Sequence, residues 1–338
     1  MKIALLMGAN EIKVQEQPKP VPGIGEVRLK VEAAGICGTD IDAYKGKQPR
    51  GWTITYPFRM GHELAGTVDA IGEGVSNVKV GDRVVPDGRI PCGYCSECRS
   101  GHVNACNNGG YTSGGFMEYS IYSYKSLVKI PDSLDFAAAA FAEPLSCCLY
   151  GSSKLDVKVG DFAVVIGEGA IGILHAQILQ RKGAEVAIVG LIPERLAVAK
   201  SLGINHIINA KEEDVVAKVM ELSGGKGSNV TVCAAGAEVV LAQALDIAAR
   251  YGQILYFAAT LKEKVALDLD LLHYKELRMI GSYDSTTAFY EQAVHLLALN
   301  LIKVDKLLTH KFKLDDAAEA FQAAQDMIGL KVMIFNEN

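Results

Sequence analysis

At 338 residues and 49% apolar side chains, the chain is long enough for more than one core, so two domains are expected. A net charge of −5, with no basic run longer than two residues, argues against nucleic acid or an anionic membrane as a partner. No stretch approaches the roughly 18 uninterrupted apolar residues of a membrane span, and the start, with Lys2 and about six apolar residues, is shorter than a signal-peptide core. The expected compartment is the cytoplasm.

From residue 1 to about 148 the pattern is short strands and glycine turns. Residues 27–33 and 66–72 alternate apolar and polar at the strand period, and Gly81-Asp82-Arg83-Val84-Val85-Pro86 reads as a turn feeding another strand. This part reads as an all-β, barrel-like body carrying loops. After the run Ala137-Ala138-Ala139-Ala140 the texture changes. Strands at 163–166, 186–189, 206–208, 230–233, 253–257 and 279–282 alternate with helical spacing at 171–182 and 194–202, which predicts an α/β, doubly wound parallel sheet. Beyond about residue 285 come an amphipathic helix at 289–299, a short strand near 310–312 and a last helix from Asp315, a tail expected to pack back onto the first domain. The domains are therefore placed at 1–148 with 286–338, and at 149–285.

Three stretches carry side chains that bind Zn²⁺. His62 and Glu63 stand between Gly61 and Gly66, Cys37 lies on the glycine-rich turn Gly35-Ile36-Cys37-Gly38, and Glu143 precedes Pro144, which is expected to hold it extended. Three protein ligands leave the fourth, catalytic position of zinc open. The strongest single signal is Cys92-x2-Cys95-x2-Cys98-x7-Cys106. Four thiolates close a tetrahedral shell, so this second site is structural; an iron–sulfur cluster is the rival, and zinc is preferred because nothing nearby suggests electron transfer. The eight cysteines lack a secretory context, and in a reducing cytoplasm such a cluster more often holds metal than forms disulfides.

Gly167-Glu168-Gly169-Ala170-Ile171-Gly172 matches G-x-G-x-x-G between a strand and a helix, the context that makes it a dinucleotide cradle. Gly167 makes the turn, Gly169 lets a pyrophosphate approach, and Gly172 permits close helix–strand packing. The acid expected about 20 residues on, to bind the adenosine ribose, is missing: the second strand ends at Gly190, followed by Leu191 and Ile192. Its absence removes a repulsion of a 2′-phosphate, and Arg195 could pair with one. NAD and NADP both remain open.

With these residues assembled, the chain resembles the zinc-dependent medium-chain dehydrogenase/reductase family, in the branch of polyol (sorbitol), threonine and sugar-alcohol-phosphate dehydrogenases. The resemblance runs over essentially the whole length. It rests on Gly61-His62-Glu63-Leu64-Ala65-Gly66 with Gly72, on Cys37-Gly38-Thr39-Asp40, and on the Cys92 to Cys106 lobe. It implies a GroES-like, β-rich catalytic domain and a Rossmann cofactor domain. It also implies two zinc ions per chain, NAD or NADP, a small-molecule alcohol substrate and a homodimer or homotetramer. The catalytic zinc carries over to Cys37, His62 and Glu143, with Glu63 a direct or exchanging ligand; charge counting favours the second, since Cys37 and Glu143 already neutralise the ion. Thr39 would take the hydroxyl proton and pass it toward Asp42, which stands where many relatives have histidine. Tyr44, Trp52 and Arg59 are candidates for pocket lining or for packing.

The activity implied is reversible oxidation of a secondary alcohol on a polyol, sugar or sugar-derived substrate. The alternatives are a threonine dehydrogenase-like activity on a hydroxy amino acid and a non-catalytic nucleotide-binding sensor.

Overall fold

Alternation decides the central strand of the first unit. In Glu26–Gly35 the side chains of Val27, Leu29, Val31 and Ala33 are buried and those between them half-buried, the period-2 pattern of a strand with one face on a core. The computed structural model describes residues 1–48, 53–258 and 264–336. It divides into two compact units, Met1–Ser146 with Thr286–Asn338, and Cys147–Ser285.

In the first unit, Glu26–Gly35 is the middle of a seven-stranded sheet. The order runs Leu127–Lys129, Arg83–Pro86, Glu63–Ile71, Glu26–Gly35, Lys331–Phe335, Leu308–Lys313, and Tyr119–Ser123 also pairs with Glu26–Gly35. The backbones of Glu26–Gly35 and Glu63–Ile71 approach closely: a Cβ on Gly66 would fall 2.3 Å from the Lys30 carbonyl oxygen. A second sheet joins Lys2–Gly8 to Glu11–Glu16 and Phe58–Arg59. The core between these elements includes Leu29, Val31, Leu64, Phe116 and, from the helix Ala317–Gln325, Phe321.

The strand Lys331–Phe335 goes beyond the sequence reading, which stops at a helix from Asp315. The structure has a short 3₁₀ turn there, Leu314–Asp316, then the helix and this last strand. Val332, Met333 and Ile334 are all buried, so the strand has no alternation to reveal it.

The second unit is a six-stranded, all-parallel sheet. Its order is His206–Asn209, Glu185–Gly190, Phe162–Ile166, Ser228–Cys233, Ala248–Tyr256, Arg278–Gly281, the strand order of a doubly wound fold. Phe162–Ile166 is buried at every position, as a central parallel strand covered on both faces must be. The helices Ala170–Arg181, Pro193–Ser201, Val215–Leu222, Glu238–Ile247 and Leu269–Tyr274 supply the crossovers. Among the described residues no helix is long and apolar enough to cross a membrane.

One buried group makes this unit pH-sensitive. His175 is fully buried, its Nδ1 lies 3.0 Å from Ser152 Oγ, and its ring meets Phe257 edge-on at 4.5 Å. Burial pushes its pKa down to about 3. The unfolded chain takes up this proton near pH 6.5 and the folded chain does not, so stability is full above about pH 6.5. It falls by about 1.4 kcal/mol per pH unit as the pH drops toward the folded pKa. Urea unfolding of wild type and His175→Gln between about pH 6.5 and pH 4 should show that much steeper a decline in the wild type. Parallel declines would mean that the imidazole is not held neutral.

Candidate metal and cofactor sites

Strand register assembles the first site. Gly35 pairs with Glu63 and with Met333, both antiparallel. The chain just past Gly35, just before Glu63 and just before Met333 is thereby brought to one level at the end of the sheet. There Cys37 Sγ, a ring nitrogen of His62 and a carboxylate oxygen of Glu63 lie within 4.8 Å of one another. Gly61 turns the chain into this strand with φ +88°, and a Cβ on it would press on Gly115 Cα at 2.9 Å.

Asp40 ties the two turns together. From the first turn of the helix Gly38–Tyr44 its buried carboxylate accepts the backbone N–H of Cys37 at 3.0 Å and of Gly61 at 3.1 Å, and stands 3.8 Å from His62 Nδ1. The sequence reading quoted Asp40 within its motif and gave it no role. The available signal was an acid three residues after a helix-capping position.

The field at this site is strongly negative. Burial alone would lower the pKa of His62, but the carboxylate of Asp40, with Cys37 and Glu143, outweighs burial and holds it well above the usual 6.5. A place that stabilises a positive imidazole so strongly suits a divalent cation. Glu63, also buried, has its own counter-ion: Lys331 Nζ donates to its two oxygens at 2.6 and 2.8 Å, and to the Ile36 carbonyl at 3.3 Å. Burial opposes the charge of Lys331, yet Glu63 prevails and its pKa is raised. Lys331, the counter-ion of Glu63, is absent from the sequence reading because its strand is absent from it.

Glu143 is not extended. It is the second residue of the helix Ala142–Ser153, and Pro144 is tolerated because the N–H it lacks belongs to the first turn, which has no intrahelical partner. From there its charge acts on His62, Lys331 and Tyr290. Thr39 Oγ1 lies 3.8 Å from Cys37 Sγ, and Asp42 is half-buried on the same helix. Tyr44 is a core residue packed on Phe321 at 5.4 Å, Arg59 is exposed, and Trp52 falls outside the described residues.

The second cluster fits a tetrahedral metal. Cys92, Cys95, Cys98 and Cys106 place their sulfurs within 4.8 Å of one another. The Cys92–Cys98 and Cys95–Cys106 separations are 4.0 and 3.8 Å, against the roughly 3.8 Å edge of a tetrahedron with Zn–S of about 2.3 Å. Backbone N–H groups of Cys92, Cys95 and Cys98 donate to Cys106, Cys92 and Cys95 Sγ, each at 3.4 Å, a pattern that favours thiolates. The Cys92 N–H leads in pulling Cys106 down to about 6, while Cys95 and Cys98 are pushed up, so that without an ion the negative charge concentrates on one sulfur. The short hairpin Arg89–Ile90 with Gly110–Tyr111 and the helix Ser96–Arg99 frame this lobe.

The glycine turn of the second unit fits a dinucleotide. Gly167 has φ +124° and donates to the Val189 carbonyl at 2.9 Å, and a Cβ on Gly172 would fall 1.8 Å from the Gly167 carbonyl oxygen. Gly169 begins the helix Ala170–Arg181 without a side-chain cap, and a Cβ on it would meet no protein atom within 4 Å. The first N–H groups of that helix, from Ala170 and Ile171 onward, are thus available to a diphosphate. Gly190 closes the strand Glu185–Gly190, with Glu168 beside it, and Arg195 lies half-buried in the helix Pro193–Ser201.

Residues 23–132 match the alcohol dehydrogenase GroES-like domain and residues 170–298 the zinc-binding dehydrogenase family. A sorbitol dehydrogenase of Halalkalibacterium halodurans is 33% identical over 97% of this chain and 96% of its own length. A D-arabitol-phosphate dehydrogenase of Enterococcus avium is also 33% identical, over 91% of this chain and 89% of its own. A Sinorhizobium meliloti protein solved with NADP bound is 29% identical, with a TM-score of 0.92, over 99% of this chain and 98% of that one. With a GroES-like β body, a doubly wound dinucleotide unit and relatives aligned along nearly all of its length, the chain belongs to the zinc-dependent medium-chain alcohol dehydrogenases.

Proposed function

We propose that the protein oxidises a secondary alcohol of a polyol, sugar or sugar-derived substrate to a ketone, reversibly, with the hydride passing to NAD(P). The observation that carries this reading is the gathering of Cys37, His62 and Glu63 within 4.8 Å, with the charge of Glu143 reaching the same imidazole. Zinc, when bound there, supplies the Lewis acidity that makes a hydroxyl acidic near neutral pH. The protein does the rest. Cys37 and His62, already together, would hold the ion with Glu143, which lies outside the group gathered within 4.8 Å but whose charge reaches His62, and one thiolate with one carboxylate would match its two charges. Asp40 fixes the turns that carry Cys37 and His62, the orienting work that partners of metal ligands perform. Glu63 adds no third uncompensated anion, because Lys331 neutralises it. With its charge so balanced, Glu63 would be an exchanging ligand rather than a permanent one. Thr39 takes the proton of the hydroxyl and hands it on toward Asp42.

Sorbitol and D-arabitol phosphate, in the names of two relatives, support the polyol class. The reading extends to a homodimer or homotetramer in the cytoplasm, where all eight cysteines, none of them in a disulfide among the described residues, stay reduced. The test is a panel of polyols, sugar phosphates and hydroxy amino acids run with each nicotinamide cofactor, alongside metal analysis. Expected are about two zinc ions per chain, turnover on polyols, and its loss as one ion is chelated. One tightly held zinc and no turnover on any alcohol would indicate a sensor. Turnover confined to hydroxy amino acids would make the threonine dehydrogenase-like reading correct.

A further inference from the structure

The strand Glu185–Gly190 ends without the acid that grips an adenosine ribose, and the structure puts another carboxylate in that place. Glu168, the second residue of the glycine turn, lies over Gly190: a Cβ built on Gly190 would fall 2.6–2.7 Å from Glu168 Cβ, Cγ and Cδ. The room a strand-end side chain would use is already occupied, and the missing side chain of Gly190 is what makes that room. Glu168 is only 9% exposed, and its Oε1 accepts the backbone N–H of both Leu191 and Ile192 at 3.1 Å. An ionised carboxylate has about four acceptor positions, so Oε2 remains for other donors.

We infer that Glu168 is the ribose-binding acid of this chain, relocated from the strand end to the glycine turn, and that it selects NAD over NADP. The two hydroxyls of an adenosine ribose are donors that a fixed, nearly buried carboxylate can satisfy. A 2′-phosphate would instead meet a like charge at a site with little solvent to screen it. It would also find the Leu191 and Ile192 N–H groups, which lead into the helix Pro193–Ser201 and are the natural donors for an anion, already taken. Arg195, the cation that could draw such a phosphate, is half-buried and already partnered. The inference rests on the dinucleotide site of the proposed oxidoreductase and not on which alcohol it oxidises.

Titration of the full-length protein with NADH and NADPH, in the absence of any alcohol and followed by nicotinamide fluorescence, tests it. The wild type should bind NADH at least about 100-fold more tightly than NADPH. Glu168→Gln should weaken NADH by roughly tenfold and bring the two cofactors within about tenfold of each other. Gly190→Asp alone should lose NADH affinity, because the new side chain collides with Glu168. Gly190→Asp combined with Glu168→Gly returns the carboxylate to the strand end and should restore both affinity and preference, a rescue that a purely structural role for Glu168 would not give. Equal binding of NADH and NADPH by the wild type, or unchanged preference in Glu168→Gln, would overturn the assignment while leaving the oxidoreductase reading in place. Failure of the wild type to bind either cofactor would overturn both.

Discussion

Replacing Cys37 with alanine is expected to remove one of two zinc ions and to lower kcat/KM by roughly a thousandfold or more. A metal acting as Lewis acid contributes several kcal/mol to transition-state stabilisation, and each 1.36 kcal/mol is about tenfold in rate. The fold should survive. The bond from the Cys37 backbone N–H to the Asp40 carboxylate is kept, and the side chain is only half-buried where it precedes the helix Gly38–Tyr44. The thiols of Cys92, Cys95, Cys98 and Cys106 are untouched, so the second ion should remain. Zinc analysis, the urea unfolding midpoint and turnover on an active polyol separate these effects. A Cys37→Ala protein that kept two zinc ions and turned over at the wild-type rate would remove Cys37 from the site.

Lys331→Met should be strongly destabilising to the first unit, costing about 3–5 kcal/mol. Lys331 is 7% exposed and Glu63 1%, and the ammonium lies 2.6 Å from the nearer carboxylate oxygen. Methionine fills much of the same volume, so the loss is electrostatic: a carboxylate is left buried with no cation on it. The double variant Lys331→Met with Glu63→Gln removes that charge as well and should recover much of the stability, although the amide still needs partners. Denaturant titrations of the two single variants and the double give the coupling energy directly. If Lys331→Met unfolds within about 1 kcal/mol of wild type, the pair behaves as a solvent-exposed one and the charge balance argued for Glu63 fails.

The cysteine cluster and the glycine turn were legible as candidate sites because their chemistry is local. Cys92, Cys95, Cys98 and Cys106 lie close enough in sequence that a short loop and one helical turn bring their sulfurs together. Gly167, Gly169 and Gly172 act within a single strand-to-helix turn, where spacing along the chain is nearly spacing in space. The strands at 163–166 and 186–189 announced themselves as continuous apolar runs between glycine turns. Lys331 gave no such signal, since a lysine heading the four-residue apolar run Val332-Met333-Ile334-Phe335 reads as a surface residue. Glu143 was recognised as a candidate but given the wrong backbone, because a following proline disfavours helix everywhere except in the first turn. Glu168 was quoted only as a member of a glycine motif.

By itself the sequence determined the inventory: which side chains can hold zinc, where a diphosphate can rest, and how strands and helices alternate. Each of these depends on neighbours along the chain, and periodicity and spacing record such neighbours faithfully. Only the tertiary structure decided who faces whom. The pairing of Gly35 with both Glu63 and Met333 draws Cys37, His62, Glu63 and Lys331 to one end of a sheet, and the empty space at Gly190 is filled by Glu168. Among these encounters, the bond from Lys331 to the Ile36 carbonyl joins residues 295 positions apart. Register and close packing create them, and no local pattern in the sequence encodes either.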